Sequence, residues 1–146
     1  MIHLITLARI CTCLRRLDPF QKKIISLLEG EPDSRKIMYI YDAGGNTGKS
    51  KLAKYLLSHH EDSVLIPFDT ANQIKAGLAS YKKAARLFIC NVPRTLGINE
   101  QKNFDDLFSV VESLKDGMLS SFYYGKYSQK IFNVPHVVIF SNHKNR

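Results

Sequence analysis

The chain lacks the ingredients of several protein classes. It has only three cysteines, Cys11, Cys13 and Cys90, an odd number with no disulfide or zinc framework. Cys11 and Cys13 have no second cysteine or histidine pair at finger spacing, which argues against a metal knuckle. Cys90 falls inside an apolar run, and the whole set fits a reducing compartment. The five histidines (His3, His59, His60, His136, His143) are scattered and read as surface or packing residues. No apolar stretch is long enough to span a bilayer: Met1 to Leu17 is short, and Arg9 interrupts it. Repeats and low-complexity tracts are absent. Acidic residues are scarce, 13 against 21 lysines and arginines, and the resulting net charge of +8 favours a polyanionic partner such as nucleic acid.

What is present reads as one ordinary domain. A chain of 146 residues is long enough to bury a core. Residues 1–17 form a basic, apolar segment with no acid before Asp18. It is expected to be an amphipathic helix packed on the domain or on a neighbouring subunit; a cleaved targeting peptide is the other reading. From residue 18 onward, helices and strands alternate. Asp18-Pro19 is a helix start, a capping acid followed by proline, and the helix stops near Gly30-Glu-Pro32. Strands are expected at Lys36 to Tyr41, Ser63 to Pro67, Arg86 to Asn91 and Pro135 to Asn142. Helices are expected at Lys49 to His59, Thr70 to Tyr81 and Asn99 to Asp116, the last with Phe104, Leu107, Phe108, Val111 and Leu114 at helical spacing. Leu119 to Val134, aromatic and polar, reads as a hairpin or loop. Such alternation implies an α/β fold with a mainly parallel central sheet and helices on both faces. Ligands of such sheets bind at the carboxyl ends of the strands.

One of those ends carries the strongest chemical signal, Tyr39-Ile-Tyr-Asp-Ala-Gly-Gly-Asn-Thr-Gly-Lys-Ser50. Glycines at a strand-to-helix turn let backbone N–H groups point inward at phosphate oxygens. Gly44, Gly45, Asn46, Thr47 and Gly48 would line that cradle, Lys49 would reach the β- and γ-phosphates, and the Ser50 hydroxyl would hold Mg²⁺. The following helix aims its positive end at the same anion. The strict pattern asks for a glycine five residues before Gly48, where this chain has Ala43. An ordinary Gly/Asn turn is the bland alternative. Asn91 and Asn142 close two other strands at the same edge, so three segments converge on one expected site.

The order of these segments resembles the helicase domain of viral superfamily 3, an AAA+-like P-loop NTPase with a three-layer sandwich. It is most similar to the replication-initiator (Rep) proteins of circular single-stranded DNA viruses, nanovirus-like satellites and related integrated elements. The matching stretches are Leu17-Asp-Pro-Phe-Gln21, Arg35-Lys36, Tyr41 to Ser50, Asn91-Val-Pro-Arg94, Glu112-Ser-Leu-Lys-Asp-Gly117, Gly125-Lys-Tyr127 and Pro135 to Asn142. The resemblance implies that residues 18–146 are an ATP-dependent helicase domain, working with Mg²⁺ as a ring, commonly of six subunits, around single-stranded DNA or RNA. It implies that Asn91 stands where the family has an acid, that Lys126 grips the nucleic-acid backbone, and that Asn142 is the polar sensor of the γ-phosphate. Lys49, Asn91 and Asn142 are then the catalytic set. Tyr123-Tyr-Gly-Lys-Tyr127 offers bases a stacking surface beside a cation, or simply half-buried hairpin tyrosines. Such proteins would act in a nucleus if the host is eukaryotic.

Two departures qualify this reading. Asn91 keeps hydrogen bonding but loses the carboxylate's charge. Loss of such a group costs several powers of ten in rate, over ~4 kcal/mol of barrier. Asp105, Asp106 and Glu112 are conceivable substitutes on the next helix. The chain also stops four residues past Asn142. A C-terminal strand, the segment donating an arginine to a neighbouring subunit and a nicking domain are therefore expected to be missing, as in a fragment, a truncated piece or an integrated, partly decayed copy. Arg94 and Arg146 are weak candidates for the arginine. A remnant that binds nucleotide or nucleic acid without turnover is the alternative function. A small-molecule P-loop kinase is more distant, since Leu119 to Val134 has no arginine for a lid.

Overall fold

A computed structural model describes residues 3–7, 19–41, 49–81, 85–93, 98–123 and 125–143. Its order is β1 (His3–Leu7), α1 (Pro19–Glu29), β2 (Lys36–Tyr41), α2 (Lys49–His59), β3 (Ser63–Ile66), α3 (Ala71–Ala79), β4 (Leu87–Asn91), α4 (Ile98–Lys115), β5 (Met118–Tyr123), β6 (Lys126–Ile131) and β7 (His136–Ser141). The expected strands and helices from residue 18 onward all form, with ends shifted by a residue or two. Asp18, the expected cap of α1, lies outside the described residues.

Five strands make one sheet in the order β1-β2-β7-β4-β3, every pair parallel. The chain runs from β2 through α2 to the far edge at β3, and returns through α3 to β4. It then drops β7 into the gap between β4 and β2. That insertion is a switch in strand order, the place where an open parallel sheet leaves a crevice beyond its strand tips.

The strands are apolar because both faces are covered. Alternation along each strand sends side chains to opposite layers. Ile37, Tyr39, Phe88, Cys90, Val137 and Ile139 pack with Ile74 and Leu78 of α3 and with Phe104, Leu107, Val111 and Leu114 of α4. Met38, Ile40, Leu87, Ile89, Val138 and Phe140 pack with Ile24 and Leu28 of α1 and with Leu52 and Leu56 of α2. Val138, Ile139 and Phe140 are fully enclosed, as the middle of a covered sheet should be. Burying one such side chain is worth about 1.5–3 kcal/mol.

The N-terminal segment corrects one expectation. His3–Leu7 is a strand, not part of an amphipathic helix, and it pairs in parallel with β2 from His3 opposite Lys36 to Leu7 opposite Ile40. β1 thereby gives the sheet a fifth strand, at the edge beside β2. This pentapeptide, with β-branched Ile5 and Thr6, gains five ladder positions there, and a long-range ladder outweighs weak local helix propensity.

At the amino ends of the strands, basic side chains serve the backbone. The last carbonyls of a helix have no partner within it. Here Gly30 O, just past α1, accepts from Arg86 at 2.9 Å and from His136 Nε2 at 2.8 Å, so the residue before β4 and the first residue of β7 both anchor the end of that helix. Lys115, at the end of α4, is enclosed and donates to Pro135 O at 2.7 Å. Burial lowers its pKa to about 8, and burial likewise holds His136 below the usual imidazole value.

β5 and β6 form a separate antiparallel hairpin, which confirms the hairpin reading of residues 119–134. Gly117, between α4 and β5, has φ 75°, and a Cβ there would meet Phe132 O at 2.6 Å. Only glycine fits that entry. Among the described residues, no helix is long and apolar enough to cross a membrane.

Candidate functional site at the strand tips

β2 ends at Tyr41 and α2 begins at Lys49. The intervening residues 42–48, including Gly44, Gly45, Asn46, Thr47 and Gly48, lie outside the described residues. Both shoulders of the expected cradle are nevertheless fixed. Lys49 and Ser50 occupy the first turn of α2, where N–H groups without helical partners face outward. Lys49 is enclosed, 7 % exposed, while Ser50 is exposed.

The neighbouring strand tips reach the same place. Asn91, the last residue of β4, donates from Nδ2 to Ser50 Oγ at 3.3 Å. Two residues that are 41 apart in sequence, and were expected at one site, are therefore in contact. Between β2 and β4 lies β7, with Tyr41 opposite Ser141 and Asn91 opposite Phe140. Asn142 follows directly, two positions past the partner of Asn91.

The chain around Asn142 is tightly held. Ser141 is fully buried, and its Oγ accepts from His143 N at 2.9 Å. Tyr39 Oη donates to His143 O at 2.5 Å, and His143 Nε2 donates to Pro93 O at 3.0 Å. This bend is stitched to β2 on one side and to the segment after β4 on the other. Burial raises the Tyr39 phenol pKa and pushes the Cys90 thiol up to about 12, so neither is poised as a nucleophile. The Tyr39–Ser141–His143 network was not foreseen. Its only sequence trace was a tyrosine at an enclosed strand position, which needs an acceptor.

The conceivable substitute acids go elsewhere. Asp106 accepts from Ala71 N at 3.3 Å, at the start of α3. Asp105 and Glu112 are exposed on α4. Among the described residues, no group of three or more His, Cys, Asp or Glu could hold a metal ion. The fit to a nucleotide therefore divides in two. A helix start, a lysine and amide or hydroxyl donors suit phosphate oxygens. A cation wants several anionic or carbonyl oxygens. The Ser50 hydroxyl is the side-chain oxygen placed at the motif for such a cation, whose remaining ligands would be phosphate oxygens and water.

Lys126 belongs to a different place. It is exposed at the start of β6, on a hairpin that packs against α3 and α4. That hairpin turns an apolar row outward: Met118, Phe122, Tyr127 and Ile131 are 61, 71, 60 and 80 % exposed. Met118 faces Ile131, and Phe122 faces Tyr127, across the two strands. The sequence reading took the tyrosines and missed Met118, Phe122 and Ile131. Their signal was a period of two, Met118-x-Ser120-x-Phe122, on one side of the hairpin. Tyr124 and Arg94 fall outside the described residues, as does Arg146.

Fold and strand-tip geometry together define an α/β protein with a parallel sheet, compatible with a Rep-like fold. Comparison with curated proteins points the same way. The chain is 29% identical over 127 residues to Para-Rep C6 of Subterranean clover stunt C6 alphasatellite, covering 86% of this chain and 41% of that protein. It is 28% identical over 126 residues to Para-Rep C9 of Faba bean necrotic yellows C9 alphasatellite, covering 86% and 42%. It is 28% identical over 136 residues to Para-Rep C2 of Subterranean clover stunt C2 alphasatellite, covering 90% and 44%. These matches relate the chain to Rep-type proteins, and it spans less than half the length of each. No family model matches it. No solved structure matches it significantly.

Proposed function

We propose that the chain is the nucleotide-binding, helicase-type part of a replication initiator, acting on single-stranded nucleic acid, and that it binds ATP with little or no turnover. The contact between Asn91 Nδ2 and Ser50 Oγ carries this reading, because it joins the glycine-rich motif to the tip of β4. The distant Rep-type relatives support the biological setting.

Each group has a part in it. The loop N–H groups and Lys49 neutralise and orient the polyphosphate. Asn142, on the braced bend after β7, offers an amide beside the terminal phosphate. The outward row on the hairpin, with Lys126, gives bases a stacking face and the backbone a cation. Turnover is where the parts fall short. Orienting and polarising an attacking water calls for a base, and the neutral amide of Asn91 has no proton affinity to supply.

An ATPase assay on the chain and on Asn91→Asp tests this. The unmodified chain is expected at background, with the variant raised by about tenfold or more. Substantial hydrolysis by the unmodified chain would instead favour an active motor.

A further inference from the structure

We infer that the cleft at the base of the β5–β6 hairpin takes one nucleotide of the bound single strand, with Lys75 of α3 on its phosphate; the inference rests on the nucleic-acid reading of the hairpin above. The outward face of the hairpin is not flat along its length. At the end away from Gly125 it falls into a cleft of about 250 Å³. Met118, Ser120, Gln129 and Ile131 line it from the hairpin, and Lys75 of α3 and Ser113 of α4 line it from the helices. Its volume is just under the roughly 300–1,000 Å³ of pockets for drug-sized molecules, so it suits a single base with its phosphate.

The chemistry of the lining selects the occupant. Lys75 and Lys130 both line the cleft, and none of its lining residues is acidic. Lys130 is held at the wall: it donates to Tyr81 O, and its ammonium lies 5.4 Å from the centre of that ring. From Met118 to Ile131 the sequence holds two lysines and no aspartate or glutamate. A polyanion is the complementary partner. Met118 and Ile131, paired across the strands, give a base its apolar contact, and the serine hydroxyls and the Gln129 amide can bond its edge. Gln129 also joins the cleft to the stacking face. Its Oε1 accepts from Tyr127 Oη at 3.2 Å, which leaves the amide N–H groups for a ligand. A strand laid on Phe122 and Tyr127 thus runs on into the cleft, and Lys75 extends its contacts from the hairpin to α3.

The test is fluorescence anisotropy of a labelled oligothymidylate with the full chain. Lys75→Glu is expected to weaken binding by about tenfold at low salt and by less at high salt. Ser113→Leu fills the cleft from the α4 side without changing charge, and is expected to weaken binding by about threefold or more at either salt. Melting curves check that both variants fold. Full-strength binding by Ser113→Leu would overturn the inference, since long-range charge alone would then account for Lys75→Glu. Full-strength binding by both, with Lys126→Ala still weakened, would overturn it and leave strand binding by the hairpin standing. Absence of binding by the unmodified chain would remove the nucleic-acid reading and this inference with it. Polyglutamate that binds more tightly than the oligonucleotide, and loses that affinity in Lys75→Glu, would assign the cleft to an acidic protein and overturn the inference.

Discussion

The parallel sheet and the β5–β6 hairpin use apolar residues in opposite ways. In β4 and β7 they point to both faces and are sealed by helices. In the hairpin one face covers α3 and α4 while the other shows Met118, Phe122, Tyr127 and Ile131 to solvent. The first arrangement makes a frame, enclosed on both faces, that carries the strand tips. The second leaves a surface whose exposed rings contribute little to folding and are available for contact. Large outward apolar residues in pairs mark interaction surfaces more than chance exposure does. The nucleotide site is proposed on the frame, and the strand-binding site on the surface.

This division can be broken at its strongest point. Phe140→Ala is expected to destabilise the fold by about 3–5 kcal/mol, because it opens a cavity between the sheet and α1–α2. Ile131→Ala, at 80 % exposure, is expected to cost less than about 0.5 kcal/mol. Urea denaturation of both variants checks the contrast, and similar losses would mean the hairpin face is covered in the folded protein.

The hairpin's own function gives the next effect. Tyr127→Ala is expected to cost about 1–3 kcal/mol of affinity for a labelled single strand, read by fluorescence anisotropy, with the melting temperature unchanged. Lys126→Ala should weaken binding more at low salt than at high salt, since a backbone contact acts through counterion release. Retained affinity in both variants would take nucleic acid away from this surface.

The same contrast explains what could be read from the sequence. β4 and β7 were legible because strands covered on both faces are apolar throughout. α4 was legible from its three-to-four spacing. The hairpin was legible as an element, but its outward row was not, since the pairing of Met118 with Ile131 appears only in register. β1 was misread because five residues carry too little period to name a strand, and its support is a ladder to residues 36–40 far along the chain. At the site, the motif and the two asparagines were visible as types and positions. The sense of the Asn91–Ser50 bond was not, nor was the network holding His143, because both depend on how β7 enters between β2 and β4.

The central claim is that the strand tips around Lys49, Ser50 and Asn91 hold a nucleoside triphosphate. Equilibrium binding of ATP to the chain and to Lys49→Gln, with melting curves for both, tests it most directly. Saturable binding that falls by about tenfold or more in the variant, with the fold intact, is the predicted result. ATP uptake unchanged by Lys49→Gln, or absent from the unmodified chain, would contradict it.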